Sequence, residues 1–139
     1  MKAIVCKEFG PLDDLVLDDV PDPVAGKGKI VIRVEAAGVN YPDGLLVQGL
    51  YQMKPDRPFT PGMEIAGTVE AVGEGVSGFA VGDRVAGKGG LGGYAEMVAM
   101  PASQCFAMPE GMDGADAGGQ AVQQVREQHP VGLRRVEQG

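Results

Sequence analysis

Two stretches of the sequence carry the Gly-x-Gly-x-x-Gly spacing with which backbone N–H groups grip a pyrophosphate: Gly73-Glu74-Gly75-Val76-Ser77-Gly78 and Gly87-Lys88-Gly89-Gly90-Leu91-Gly92. Such a loop works only when a strand precedes it and a helix opens from it, so that the helix N-terminus meets the phosphate. Both stretches follow strand-like residues, but neither opens a helix. The first reaches the next strand pattern through Phe79-Ala80-Val81-Gly82-Asp83, short of the dozen or so residues a parallel crossover requires. The second runs into Tyr94-Ala95-Glu96-Met97-Val98, which alternates like a strand. Turn glycines supplying positive φ explain both matches better than a dinucleotide loop does.

Metal ligation and nucleophilic catalysis find little material. The sequence has one histidine, His129, and two cysteines, Cys6 and Cys105, 99 residues apart. That set builds no zinc-like cluster, and a lone histidine in a polar tail supports no Ser–His–Asp arrangement. No metal site is expected. Cys6, on a strand, reads as inert core. Glu64, after the Pro61-Gly62 turn, reads as a buried carboxylate paired with Arg84 or another basic group rather than as a catalyst.

Asn40 and Asp43 stand three residues apart in Asn40-Tyr41-Pro42-Asp43. This spacing suits a helix start, in which the first residue caps and the acid reaches back to it and favours the helix dipole. A short helix is expected over 44–48. Around it the pattern is β: strands at 3–7, 15–19, 29–37, 64–72, 83–86, 93–100 and 105–107. The clearest is 29–37, with Ile30, Ile32 and Val34 on one face and Val31, Arg33 and Glu35 on the other. Residues 62–93 hold 11 of the 23 glycines, marking tight turns between short strands. The expected fold is mainly β, a compact barrel or sandwich with one short helix. A second helix is expected to begin at 113–117. Residues 118–139 contain five glutamines and no strand pattern, and read as an irregular tail.

Bulk properties narrow the function classes. The chain has 139 residues, room for one domain, with 44% hydrophobic and 22% charged residues. Its formal charge is −7; residues 1–117 carry 9 Lys and Arg against 17 Asp and Glu. An acidic body gives no electrostatic reason to bind nucleic acid or an anionic membrane, although a local basic pocket for phosphate stays open. No apolar run approaches the roughly 20 residues of a membrane span. Two distant cysteines fit a reducing compartment, and the early return of charge at Lys7 does not fit a signal peptide. A cytoplasmic location is the expectation.

Four motifs together are specific: Ala36-Ala37-Gly38-Val39-Asn40-Tyr41-Pro42-Asp43, Pro61-Gly62-Met63-Glu64-Ile65-Ala66-Gly67, Val81-Gly82-Asp83-Arg84-Val85 and Gly92-Gly93-Tyr94-Ala95-Glu96. In order and spacing, over residues 1–117, they resemble the medium-chain dehydrogenase/reductase superfamily. The resemblance implies a GroES-like fold, a partly open barrel of short strands. Zinc-dependent members carry Cys and His where this chain has Asn40 and Tyr41, and His where it has Met63. The four-cysteine structural lobe is also missing between Gly87 and Tyr94. Asn and Met are poor substitutes for thiolate and imidazole. The pattern is similar instead to the zinc-free quinone oxidoreductase (zeta-crystallin-like) branch.

That resemblance implies hydride transfer from NADPH to a quinone or a carbonyl-conjugated alkene. It places Asn40, Asp43 and Tyr51 near the nicotinamide and substrate: Asn40 against an amide or carbonyl, Tyr51 against a substrate or cofactor oxygen, Asp43 ordering both. Asn40 and Tyr51 are thus the implied cofactor contacts. Helix capping by Asn40 and Asp43, and packing by Tyr51, stay open as readings of the same residues. Some relatives have a second tyrosine where this chain has Leu45. The resemblance also implies a Rossmann domain beyond this region, and 118–139 is too short to supply one. The expectation is therefore a substrate-side half that is inactive alone. A binding or interaction module without enzymatic activity is the alternative, and the oligomeric state is open.

Overall fold

The structure, a computed structural model, describes residues 1–108. The helix start expected at 113–117, the tail at 118–139 and His129 lie outside the described residues. Seven strands and one α-helix form in the order β1 (Lys2–Val5), β2 (Val16–Asp19), β3 (Lys29–Gly38), α1 (Tyr41–Val47), β4 (Glu64–Val72), β5 (Arg84–Lys88), β6 (Met97–Pro101) and β7 (Cys105–Ala107). Single 3-10 turns at Leu12–Asp14 and Ala102–Gln104 precede β2 and β7.

β1 and β2 form an antiparallel pair, and the other strands form a five-stranded antiparallel sheet in the order β6-β3-β4-β5-β7. The sheet ends in β6 and β7, so it does not close into a barrel. The mainly β, partly open GroES-like architecture expected from the sequence is the one observed. The small sheet is tied to the large one through 94–96: Ile4 N–H donates to the Tyr94 carbonyl at 2.8 Å, and Glu96 N–H to the Lys2 carbonyl at 3.1 Å.

The period-2 pattern of β3 builds the core. Ile30 and Ile32 are fully buried with Ile65, Val69, Val85, Val98 and Met100, and Val34 packs against that cluster. Each such side chain stabilises the fold by about 1.5–3 kcal/mol relative to exposure. On the opposite face of β3, Arg33 pairs with Glu70 and Glu35 accepts from Arg84 at 3.2 Å. The β3–β4 register shifts between Val31 and Ile32 and again between Val34 and Ala36, which bends the pair around the core.

Backbone contact explains two of the glycines that punctuate the sequence. A Cβ on Gly67 would lie 2.0 Å from the Arg33 carbonyl oxygen, and one on Gly73 would lie 2.0 Å from that of Gly26. Neither Gly-x-Gly-x-x-Gly stretch opens a helix among the described residues: the first is a turn, the second turns after Gly87 and Lys88 end β5, and Gly75, Gly78, Gly89, Gly90 and Gly92 all take positive φ.

Candidate active site

α1 begins where the sequence places its cap, but three residues before the expected helix core. Tyr41, Pro42 and Asp43 are its first turn, which Pro42 tolerates because that turn has no intrahelical N–H partner to lose. Asn40 N–H donates to Asp43 Oδ2 at 2.9 Å, the acid's half of a capping box. The helix ends in a Schellman arrangement: Gly49 N–H reaches the Leu46 carbonyl at 3.2 Å and Leu50 N–H reaches that of Leu45 at 2.9 Å. Gly49 takes φ 73° there.

Asp43 faces inward and is 4% exposed. The Tyr94 hydroxyl donates to the same Oδ2 at 3.0 Å and lies 3.3 Å from the Gly38 carbonyl oxygen. Oδ1 is buried without a hydrogen-bond partner. Burial pushes the Asp43 carboxyl above its ordinary value, against the opposing pull of the Asn40 N–H, the Tyr94 hydroxyl and the Gly62 N–H. Burial, followed by the neighbouring Asp43 charge, raises the Tyr94 hydroxyl in turn. The hydroxyl therefore keeps its proton and donates it as a hydrogen bond, so the pair is suited to holding geometry rather than to exchanging protons.

Tyr94 is delivered by glycine packing. Gly93 N–H donates to the Gly62 carbonyl and Tyr94 N–H to the Pro61 carbonyl, each at 3.0 Å. Gly62 takes φ 107°, and a Cβ there would come within 2.7 Å of the Tyr94 nitrogen. The Pro61-Gly62 turn thus lies directly on Gly93-Tyr94 and aims the ring at α1. Glu64, at the start of β4, is 4% exposed, and Asn40 Nδ2 donates to its Oε2 at 3.2 Å.

These residues border a cavity of about 500 Å³ between α1 and the turn before β2. Leu12, Leu15, Val39, Leu45 and Val47 supply apolar wall, and Asn40, Asp43, Gln48 and Tyr94 supply the polar positions. An apolar slot with a few converging polar groups is the usual form of a small-molecule site. Of the residues singled out in the sequence, Asn40 and Asp43 meet at this cavity. Tyr51 stands half-buried on the bend after α1 and is not among the cavity's lining residues. Tyr94 and the Asn40–Glu64 contact carried no recognisable signal in local spacing.

Two further readings can be checked here. Glu64 is set opposite Lys88 in the β4–β5 register and Arg84 opposite Thr68, four residues along. At about 3.4 Å per residue the register does not build a Glu64–Arg84 pair, and the Arg84 guanidinium reaches Glu35; the basic residue that the register sets opposite Glu64 is Lys88. Cys6 is core, 1% exposed, with its thiol directed to the Glu8 carbonyl at 3.2 Å and pushed up by burial. Among the described residues, no three His, Cys, Asp or Glu side chains gather to hold a metal ion. No helix among them is long and apolar enough to cross a membrane.

Known proteins share this fold. The family model of the alcohol dehydrogenase GroES-like domain matches residues 26–110. The synaptic vesicle membrane protein VAT-1 homolog of Rattus norvegicus is 41% identical over 127 residues, covering 90% of this chain and 31% of that protein. The quinone oxidoreductase of Lama guanicoe is 41% identical over 115 residues, covering 81% of this chain and 35% of that protein. Among solved structures, the quinone oxidoreductase of Thermus thermophilus, determined also as its complex with NADPH, is similar at 41% identity with a TM-score of 0.70. That likeness covers 84% of this chain and 35% of that one. The chain spans about a third of the length of these curated relatives. Matched over more than half of its length, it belongs to the alcohol dehydrogenase GroES-like domain family, in the medium-chain dehydrogenase/reductase superfamily.

Proposed function

We propose that this chain is the substrate-side half of a quinone reductase, taking a quinone or a carbonyl-conjugated alkene into the cavity beside α1. The observation that carries the reading is the cavity itself: about 500 Å³ with largely apolar walls, and with Asn40, Asp43 and Tyr94 among its lining residues. Its quinone oxidoreductase relatives, some solved with NADPH, supply the substrate class and the cofactor.

The residues fit the nicotinamide end of NADPH and not its phosphates. The cavity offers a slot for a flat ring and an amide, Asn40, to meet a carboxamide or carbonyl. Neither glycine-rich stretch opens a helix, so the described residues supply no helix-backed pyrophosphate loop. When bound, NADPH supplies a hydride, which with one proton converts a quinone to a hydroquinone. Asn40 orients the bound ring by hydrogen bonding. Asp43, held by Tyr94, fixes the α1 N-terminus and so fixes Asn40. Leu12, Leu15 and Val47 exclude water. Tyr51 contacts only a ligand that extends past the C-terminal end of α1. No metal takes part in this reading. In this reading the substrate-side domain is residues 1–117, its setting is the cytoplasm, and its turnover requires a nucleotide-binding domain.

NADPH oxidation by the purified chain with tetramethylbenzoquinone tests this, alongside Asn40→Ala and Tyr51→Phe. The expected result is no turnover above the uncatalysed rate. Turnover that falls in the variants would show a complete site and overturn the silent-half reading. The VAT-1 relatives, named as vesicle membrane proteins rather than as enzymes, favour a second reading, a binding module using the same cavity. A specific protein complex that is lost when the cavity is filled would favour it.

A further inference from the structure

Glu64 is a buried acid that the proposed reaction does not use. It is the first residue of β4, aligned with Gly38 across β3 and with Lys88 across β5. Asn40 lies two residues beyond Gly38, so the register brings the Glu64 carboxylate under the Asn40 side chain, where Nδ2 donates to Oε2 at 3.2 Å. A primary amide donates through its NH2 and accepts through its oxygen, and here it is Nδ2 that faces Glu64 Oε2. The contact therefore has one polarity: the Asn40 NH2 turns toward Glu64, and Oδ1 turns away from it. Asn40 also borders the cavity.

We infer that Glu64 is a positioning residue that locks the Asn40 amide so that it offers the cavity an acceptor, and that the ligand group read there is an O–H or N–H donor. The polarity of Asn40 follows from the Glu64 contact alone; the identity of the ligand rests on the proposed function. Two donors fit that function, the hydroxyl of a reduced quinone and the carboxamide N–H of the nicotinamide. An oxidised quinone has only acceptors and finds no partner in Asn40 Oδ1. A site with this polarity discriminates by hydrogen-bond direction, because mismatched acceptors leave both partners unpaired.

The test uses the full 15N-labelled chain. The side-chain NH2 signals of Asn40 are identified by their loss in Asn40→Asp. In the wild type they should show a cross-peak to the Glu64 Hγ protons, a readout independent of any Glu64 variant. Glu64→Leu, which keeps bulk and removes the acceptor, should shift these signals and speed their exchange with solvent. Glu64→Gln, which keeps an acceptor, should largely restore them. Absence of the wild-type cross-peak, or an Asn40 NH2 indifferent to Glu64→Leu, overturns the inference.

The ligand arm titrates nicotinamide, tetramethylhydroquinone and tetramethylbenzoquinone. Glu64→Leu should weaken whichever donor ligand Asn40 reads by about fivefold, the worth of one hydrogen bond, and leave the benzoquinone unchanged. Loss with nicotinamide assigns the carboxamide, and loss with the hydroquinone assigns the hydroxyl. Equal loss for all three overturns the polarity. If none of the three binds the wild type, the proposed function fails, while the Asn40 NH2 response still decides whether Glu64 holds the amide.

Discussion

At the scale of single residues, the site depends on one buried carboxylate and the groups that hold it. Tyr94→Phe removes the hydroxyl that reaches Asp43 and Gly38. The loss of this bond should cost about 1–2 kcal/mol in urea unfolding. Asp43 also predicts a direction with pH. Its carboxyl in the fold lies above the ordinary value of 3.8, so between those two values the folded chain holds more protons than the unfolded one. The Asp43 contribution to stability therefore falls as pH rises through that window. The stability of the wild type relative to Asp43→Asn, measured by urea unfolding in steps upward from about pH 3.5, should fall as pH rises; a rise would contradict the burial assigned here. Asn40 and Asp43 were legible in the sequence because capping is a local device set by spacing. Tyr94 was not: its bond to Asp43 joins residues 51 apart in sequence, and only the packing of Gly62 on Gly93 brings them together. The Asn40–Glu64 contact depends in the same way on strand register, joining residues 24 apart.

At the scale of elements, alternation revealed the strands, and the differences lie at their ends. β5 runs to Lys88, beyond the expected 86, because Gly87 and Lys88 pair with Ile65 and Glu64 of β4. β6 starts only at Met97, because residues 93–96 spend their hydrogen bonds on the Pro61-Gly62 turn, β1 and Val34. α1 starts early because Pro42 is compatible with a first helical turn although it would break a later one. Two glycines make this scale testable. Gly67→Ala would press a methyl into the backbone of Arg33, which cannot rotate aside, and should cost about 2–3 kcal/mol in urea unfolding. Gly49→Ala forces a left-handed backbone on alanine at the end of α1, against the Phe9 ring, and should cost about 1–2 kcal/mol. If Gly49→Ala is neutral, the Schellman end of α1 is wrong.

At the scale of the whole molecule, two sheets and a short helix hold an apolar cavity open at one side. Several large apolar side chains around it remain exposed, Val39 at 82% and Tyr41 at 65% among them. The overall fold was legible because four motifs in the right order specify it jointly, although each is short. The cavity was not, since its walls combine the turn before β2 with α1 and no sequence pattern links them. Ile32→Ala, in the shared core, should cost about 2–5 kcal/mol and weaken the fold without altering the cavity walls, separating stability from binding. The most direct measurement of the central claim is the dissociation constant of tetramethylbenzoquinone for the purified chain, compared with Leu45→Asp, which places a charge in the cavity wall. Saturable binding that weakens at least about tenfold in Leu45→Asp is the predicted result. Absence of saturable binding, or equal affinity in the variant, would contradict a quinone site beside α1.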